Sequence, residues 1–218
     1  MLTDLAGLLK STGRYTEAEP LYREALTIRQ KALPPDHPDL ANTLNNLALL
    51  FHGQDKLAGA EPLYREALEI QRKVLPPDDP DTMSTTADLG RLLETQARHK
   101  ETIDLLGPAE AAARSAFADG DAANLASFLT ALGRARVGLG YDAERFKLAE
   151  ANLLEAHPIF VEARGPTHKD TLECVRGLVD LYTAWDTAEP GNGYDAKAAE
   201  WRAKLTPPPD AKDQPERK

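Results

Sequence analysis

The sequence of 218 residues has a single cysteine, and aromatic residues make up only 6% of it. Cys174 alone cannot form a disulfide within the chain or a multi-thiolate metal site. The longest apolar run, Leu47 to Phe51, is far shorter than the roughly 20 residues of a membrane-spanning helix. The N-terminus, Met1 to Asp4, lacks the basic and then apolar order of a signal peptide. These absences predict a soluble, cytoplasmic protein.

Positive charge is also scarce in this chain. The 26 Lys and Arg residues are outnumbered by 35 Asp and Glu residues, which gives a net charge of −9. Such a chain is repelled by nucleic-acid phosphates and by anionic membranes, although a local basic patch could still exist. We therefore expect partners that are neither nucleic acids nor membranes.

Catalytic and cofactor-binding motifs are missing as well. The chain has no G-x-S-x-G, H-E-x-x-H, Walker or G-x-G-x-x-G motif. Its many carboxylates recur at repeated positions, and pairs such as Glu19–Arg23 and Glu61–Arg65 have the spacing of ion pairs along one helix. We therefore predict a protein without enzymatic activity, cofactor or bound metal.

What the chain does contain is an internal repeat. AEPLYREAL occurs at 18–26 and again at 60–68, a spacing of 42, and 17 of 23 positions are identical between 17–39 and 59–81. Weaker copies follow, and the last is a half-copy, AAEWRAKL, near the end of the chain. A period of 20 to 50 residues is typical of solenoid proteins.

Each unit is predicted to be a pair of helices. In 42–52 and 58–75, apolar residues recur at spacings of three and four, which indicates helices with one buried face. The Pro-Pro-Asp linkers end one helix, Asp36 is expected to cap the next, and Pro38 suits its first turn. The predicted helices are 2–12, 15–33, 38–52, 57–75, 80–96, 99–117, 122–139, 143–164, 169–185 and 195–205.

These motifs carry a family resemblance. The pattern L-x-x-L-A-x-L-F/L, then A-E-P-L-Y-R-E-A-L, then P-P-D-H-P-D resembles tetratricopeptide repeats of the 42-residue type found in kinesin light chains. The resemblance spans Leu2 to Leu205 and implies an all-α, right-handed α-solenoid of about five antiparallel helix pairs. It also implies an inner groove, lined by the first helix of each pair, that holds a partner's peptide. Asp55 and Ala97 depart from the pattern, because they stand where Gly13 marks the turn.

The resemblance divides the chain into a solenoid, 1–205, and a tail, 206–218. The tail is rich in Pro and charge and is predicted to be disordered. Trp185 and Trp201 are expected to pack the final helix pair, since the end of a solenoid needs its last apolar face covered. The predicted units are approximately 1–33, 38–75, 80–117, 122–164 and 168–205.

A second resemblance lies at the end of the chain. The order A-R-G-P-x-H-x-D-T, L-V-D-L-Y-x-A-W and A-A-E-W-R-A-K-L, from Ala163 to Leu205, is similar to the C-terminal ends of bacterial serine/threonine kinases that carry these repeats. The kinase motifs themselves are absent. The chain also opens in the middle of a predicted first helix, which favours a fragment, or a short relative, of a longer repeat protein.

Histidines and the cysteine receive structural interpretations. His37 and His168 occupy the same linker position in two units, where a third linker has Asp79. This equivalence indicates a capping or packing role, and no second ligand lies one helical turn away as zinc sites require. Cys174 lies on a mostly apolar face and is predicted to be a small buried residue rather than a reactive thiol.

The phase of each first helix predicts which residues line the groove. Asn45 falls where kinesin-light-chain-like repeats have an Asn that grips a peptide backbone, because an amide can donate and accept at once. The predicted groove residues are Asn42, Asn45, His52, Ser84, Arg91, Glu94, Thr130, Arg134, Arg176 and Asp180.

Three of these residues, Arg91, Arg134 and Arg176, are expected to form a row on the inner face. Guanidinium groups bind carboxylates through two parallel hydrogen bonds, so the row predicts a peptide with Asp or Glu, or a C-terminal carboxylate. The alternative is that the arginines form ordinary surface ion pairs with acidic residues beside them. These residues are Glu94, Glu173 and Asp180.

Three functions are consistent with the sequence. The first is a non-catalytic protein-interaction scaffold that binds a partner peptide. The second is a regulatory or substrate-docking region of a bacterial kinase-type signalling protein. The third is a structural solenoid that self-associates through the open half-repeat at the N-terminus, whose uncovered face invites a second copy.

Overall fold

A computed structural model describes residues 2–118 and 120–205. The described residues contain helices and no strand, so the expected all-α class is confirmed. A 3-10 turn, Gly107–Ala109, separates α6 from α7. The α-helices are α1 (Leu2–Ser11), α2 (Tyr15–Ala32), α3 (Pro38–Gly53), α4 (Leu57–Val74), α5 (Pro80–Thr95), α6 (His99–Leu106), α7 (Glu110–Ala116), α8 (Ala122–Gly138), α9 (Ala143–Arg164), α10 (Lys169–Ala188) and α11 (Tyr194–Ala203).

The helices are arranged as consecutive hairpins that stack on one another. Each first helix, α1, α3, α5, α8 or α10, packs against the helix that follows it. The first helices also contact one another in sequence order, from α1 with α3 to α8 with α10. Neither helix of a pair could bury its apolar face alone, so stacking supplies the core. The result is the predicted α-solenoid.

Side-chain caps begin the first helices of three units. His37 Nδ1 accepts a hydrogen bond from the backbone N–H of Asp39 at 3.1 Å. Asp79 Oδ1 accepts from the N–H of Asp81 at 2.9 Å, and His168 Nδ1 accepts from the N–H of Asp170 at 3.3 Å. The capping role of the linker histidines is therefore confirmed. The expectation for Asp36 is wrong, because the cap lies one residue later, next to the proline that opens the helix.

The helix predicted over 99–117 is interrupted. Gly107 and Pro108 form the 3-10 turn, and a new helix begins at Glu110. Proline has no N–H to donate and its ring crowds the preceding turn, and glycine beside it adds backbone freedom. The prediction overlooked this pair because Pro20, Pro62 and Pro158 are all tolerated inside helices.

The turns between paired helices impose a left-handed backbone. Gly13 has φ 77°, and the residues at its equivalent positions, Asp55 and Ala97, have φ 60° and 55°. Glycine adopts this region freely, whereas a residue with a Cβ is strained there by about 1–2 kcal/mol. In the second and third units, packing of the two helices around the turn therefore offsets this backbone strain.

The core is continuous along the stack and changes in character. In the first units, fully buried alanines such as Ala18 and Ala60 lie beside the buried rings of Tyr22 and Tyr64. Toward the C-terminus, phenylalanines and leucines from α8, α9 and α10 form one larger cluster. Trp185 is 5% exposed and stacks on Tyr194 with ring centroids 4.5 Å apart, and Trp201 packs against the same cluster. Both tryptophans therefore pack the last pair as expected.

Candidate functional site

The first helices of the hairpins line three adjoining cavities, which together are called the groove below. The largest has a volume of about 390 Å³ and is lined from α1, α3, α5 and α10. A small pocket of about 20 Å³, large enough for one water, joins it through Arg91 and Glu173. A third cavity of about 250 Å³ adjoins that pocket at Glu94 and extends toward Asp180. The groove therefore runs along successive units.

The structure places the predicted residues in different positions around this groove. Asn42 donates to Asp81 Oδ2 at 3.2 Å, and Ser84 Oγ accepts from Asn124 at 3.3 Å, so both bridge neighbouring first helices. Neither residue lines any of the three cavities of the groove, and the same is true of Asn45 and Arg176. The predicted residues that do line the groove are His52, Arg91, Glu94, Thr130, Arg134 and Asp180.

The three predicted arginines differ in their surroundings. Arg91 pairs with Asp88 at 2.8 Å within α5. Arg134 lies between two acids, Glu94 at 3.3 Å and Glu173 at 2.9 Å. Arg176 is exposed and has no ion pair among the residues that the structure describes. The local ion pairs of the alternative interpretation are thus present at Arg134, and the row of three free guanidinium groups is not.

Several buried polar atoms at or near the groove have no hydrogen-bond partner in the described part of the chain. They include Asn45 Oδ1, His52 Nδ1 and Thr130 Oγ1. Burial, together with the charge of Arg91, lowers the pKa of His52 to about 4, so this ring is neutral near pH 7. A buried polar atom without a partner costs about 1–3 kcal/mol, which a ligand or water can recover. These atoms therefore identify positions where a bound chain would be stabilised.

Burial also perturbs the charged groups of the groove. It lowers the pKa of Lys10 against the opposing effect of Asp88, and it raises the pKa of Asp88 and of Glu94. The Arg134 charge partly offsets the shift at Glu94. The groove is thus partly desolvated, and ionic contacts inside it are stronger than on an open surface.

Some groove residues were not found from the sequence. Tyr15 is the first residue of α2, and Lys169 and Asp170 come from the first turn of α10. Helical phase along one unit gives no information about them, because Tyr15 contacts Gly53 of the next unit and the first turn of α10 approaches α3 and α5 from a distant unit. The Arg164 guanidinium pairs with Asp170, which is 8% exposed.

Cys174 is a structural residue, as predicted. It is fully buried, and its Sγ donates to the carbonyl of Leu153 at 3.3 Å. Burial raises the pKa of this thiol to about 11, so it is not a nucleophile near pH 7. Across residues 2–118 and 120–205, no group of three or more His, Cys, Asp and Glu side chains could hold a metal ion. None of the helices in these ranges has the length and apolar character needed to cross a membrane.

Comparison with known proteins places this architecture in a class. Residues 1–73 match the family model described as tetratricopeptide repeat. A comparison with curated protein sequences finds no match. The match lies within the first third of the chain, and it confirms the resemblance to tetratricopeptide repeats seen in the sequence.

Solved structures extend the likeness of fold over nearly the whole chain. One is a crystal structure from Podosopora anserina of a kinesin light chain described as having nearly identical TPR-like repeats. This chain is 20% identical to it, with a TM-score of 0.65, over 93% of this chain and 92% of that one. BtubC (BKLC) of P. vanneervenii is 22% identical, with a TM-score of 0.66, over 95% and 82% of the two chains. A Rap protein complexed with Competence and Sporulation Factor is 16% identical, with a TM-score of 0.63, over 94% and 54%. The protein thus has the fold of kinesin-light-chain-like tetratricopeptide solenoids.

Proposed function

We propose that this protein is a non-catalytic scaffold that binds an extended peptide of a partner protein in the groove. The observation that carries the proposal is the largest cavity of the groove, which joins α1, α3, α5 and α10 and has at its wall His52 Nδ1, an atom without a hydrogen-bond partner among the described residues. An extended peptide presents one N–H and one C=O per residue, and so it can supply the partner that this atom lacks. The similar Rap protein is complexed with Competence and Sporulation Factor, which is consistent with ligand binding by this fold.

The charges of the groove favour an acidic peptide. The acids of the largest cavity are compensated, since Glu173 pairs with Arg134 and Asp170 pairs with Arg164. Lys10 and Lys169 line the same cavity and have no ion pair among the described residues. We therefore assign the recognition of an Asp, Glu or C-terminal carboxylate to these two lysines, rather than to Arg91 and Arg134, which already have acidic partners, or to Arg176, which does not line the groove.

Peptide pools of opposite character test the proposal. Fluorescence polarisation would compare ten-residue pools rich in Asp and Glu with matched pools that carry Asn and Gln. The acidic pools should bind in the micromolar range, on the order of −8 kcal/mol. The double variant Lys10→Glu/Lys169→Glu should bind at least tenfold more weakly, whereas Lys31→Glu, on the exposed face of α2, should bind like the unmodified protein.

Two results would contradict it. Equal binding of acidic peptides by the unmodified protein and by the double variant would remove the two lysines from the site. Failure of every pool to bind would overturn peptide binding in the groove itself.

The alternative function, a docking region of a bacterial kinase-type signalling protein, is supported by the motif order from Ala163 to Leu205, and its test is co-purification with a kinase domain.

A second copy of the chain is a further candidate partner. Leu5, Leu8 and Ile28 of the first hairpin leave 49%, 63% and 50% of their surface exposed. The equivalent residues 42 positions later are buried by the preceding unit, so this face continues the interface between units. Light scattering over a range of concentrations should show a dimer that Leu8→Glu abolishes and Leu139→Glu leaves intact. A monomer at all concentrations would contradict it. The equivalent buried residues are Leu47, Leu50 and Ile70.

A further inference from the structure

Two cavities lie at equivalent positions on the side of the stack formed by the linkers and second helices. The first, of about 170 Å³, lies between units one and two. The second, of about 410 Å³, lies between units two and three and is called the inter-repeat cavity below. Six residues of the first have counterparts 42 positions later in the second. The six pairs are Gln30 and Arg72, Leu33 and Leu75, Pro35 and Pro77, Leu40 and Thr82, Glu66 and Pro108, and Ile70 and Ala112.

The difference in volume has a cause in the sequence. Leu40 and Ile70 fill the space between the first two units and are 4% and 8% exposed. Their counterparts are Thr82 and Ala112, and replacing isoleucine by alanine alone removes three side-chain carbons. The 3-10 turn at Gly107–Ala109 also ends α6 beside this space, so the second helix does not close over it. The inter-repeat cavity is therefore a divergent and larger version of a site that Leu40 and Ile70 partly fill.

The walls of the inter-repeat cavity are mainly apolar, with one polar atom inside and charge at the rim. Leu75, Met83 and Leu105 line it together with three prolines. Thr82 is only 2% exposed, and its Oγ1 has no hydrogen-bond partner in the described residues. The residue Asp104 at the rim pairs with Lys100 at 3.3 Å.

The open charge at this rim is positive. Arg72 is exposed, lines the cavity and forms no ion pair within the described ranges. A ligand with a carboxylate beside its apolar part would complement this guanidinium. The volume is within the range of sites that hold small apolar groups.

We propose that the inter-repeat cavity binds a leucine or isoleucine side chain of a partner peptide, with a carboxylate of that peptide at Arg72. The smaller counterpart identifies the occupant, because the chain's own Leu40 and Ile70 take up part of the space that is open in the inter-repeat cavity. This cavity shares no lining residue with the groove, so it is a second site that does not depend on the function proposed above.

The methyl group of Met83 reports on occupancy. The chain has two methionines, so the ¹³C-methyl signal of Met83 is assigned by comparison with a Met83→Leu variant. Titration with N-acetyl-leucine should shift this signal and reach saturation. N-acetyl-alanine should bind at least tenfold more weakly, because its side chain has three fewer carbons to bury in the cavity. N-acetyl-leucinamide, without the carboxylate, should bind severalfold more weakly, and Arg72→Gln should remove that difference.

Filling the cavity provides the decisive comparison. Ala112→Ile restores the side chain of the filled site and should abolish the shift, whereas Ala111→Ile, at the exposed neighbouring position, should retain it. Thr82→Leu is a second filling variant with the same expected loss, in case isoleucine at 112 disturbs α7. A saturable shift that persists in both filling variants would overturn the proposal. So would the absence of a saturable shift with N-acetyl-leucine, or equal shifts with N-acetyl-alanine.

Discussion

The second unit and the units after it build the same helix pair by different packing. In the second unit, Ala48 packs in a cluster with the buried ring of Tyr64. In the third unit, Gly90 takes the equivalent place, and a Cβ there would lie 2.7 Å from the methyl carbons of Leu106. Glycines at 133 and 177 allow similarly close approach to Leu153 in the fourth and fifth units. The later units thus build the same hairpins with glycines at contacts where a Cβ would collide with a neighbouring side chain.

Polar interactions also differ between the N-terminal units and the later units, because ion pairs lie exposed in the former and one network is more deeply buried in the latter. The N-terminal ion pairs Glu19–Arg23 and Glu61–Arg65 run along exposed helix faces, as their spacing predicts. In the C-terminal region, Arg136 is 8% exposed and contacts Glu110 and Asn152 from different helices. Exposed pairs contribute about 0–1 kcal/mol, whereas breaking a buried pair costs several. The C-terminal region therefore depends more strongly on individual side chains.

The largest expected effect is at Arg136. Its guanidinium donates to Glu110 Oε2 at 3.2 Å and to Asn152, which itself donates to Glu110 Oε1 at 3.0 Å. Arg136→Met removes two hydrogen bonds of a buried guanidinium while Glu110 keeps Arg114 at 3.0 Å, so urea unfolding should show a loss of about 2–3 kcal/mol. The matched variant Arg23→Met, in the exposed N-terminal pair, should lose less than about 1 kcal/mol. Similar losses in the two variants would contradict the comparison.

Exchanging alanine and glycine between units should have the next largest effect. Gly90→Ala forces a methyl group against Leu106, which is fully buried. Overpacking of about 1–3 kcal/mol exceeds the helix stabilisation of about 0.5–1 kcal/mol that alanine brings, so a net loss of about 1–2 kcal/mol is expected. The reverse change, Ala48→Gly, should cost about 1 kcal/mol through backbone entropy and lost contact. A gain in stability for Gly90→Ala would show that the helices can separate.

The turns offer a smaller effect of opposite sign. Ala97 has φ 55°, and glycine at this position would remove strain of about 1–2 kcal/mol at a cost in chain entropy of about 0.4–1 kcal/mol. Ala97→Gly should therefore raise the free energy of unfolding by about 0.5–1 kcal/mol. Asp55→Gly should gain less, since aspartate tolerates the left-handed region better. A loss of stability in Ala97→Gly would mean that its methyl group contributes packing that outweighs the strain.

Helix positions could be predicted from the sequence because their signals are local. The Pro-Pro-Asp linkers and the three- and four-residue apolar spacing place α3 and α4 within one residue of their observed ends. The break at Gly107 was missed because a proline's effect depends on whether neighbouring helices accommodate it. The cap of α3 was placed one residue early at Asp36, although the repeated linker position already indicated a capping role for His37.

The groove was predicted less completely than the helices, for a physical reason. Helical phase locates residues such as His52 and Arg91 on the inner face, and both line it. Phase does not describe how strongly the stack curves, so the approach of Lys169 to the ends of α3 and α5 could not be derived. Nor does it show which acids already neutralise a cation, as Glu94 and Glu173 do for Arg134.

The smallest effect on the free energy of unfolding at neutral pH is expected at His52. The equivalent residue of the third unit is Glu94, so this histidine is particular to the second unit. Burial, Arg91 and Lys169 lower its folded-state pKa to about 4, and Asp55 opposes them. The unfolded chain binds a proton near pH 6.5 and the folded one does not until about pH 4, so the contribution is fully present above pH 6.5 and is lost as pH falls toward 4.

In His52→Gln, the free energy of unfolding should therefore depend on pH as in the unmodified protein above pH 7. Between pH 6.5 and 4 it should decline less steeply than in the unmodified protein. His157→Gln is the matched variant from the C-terminal region. Burial also lowers the pKa of His157, which lies against Trp201 with ring centroids 4.8 Å apart, so this variant should likewise flatten the acid decline of stability. Proton NMR of the His52 ring should give a midpoint near pH 4 in the folded protein. A midpoint above 6.5 would show that the ring is solvated, and would remove the buried acceptor on which peptide binding in the groove partly depends.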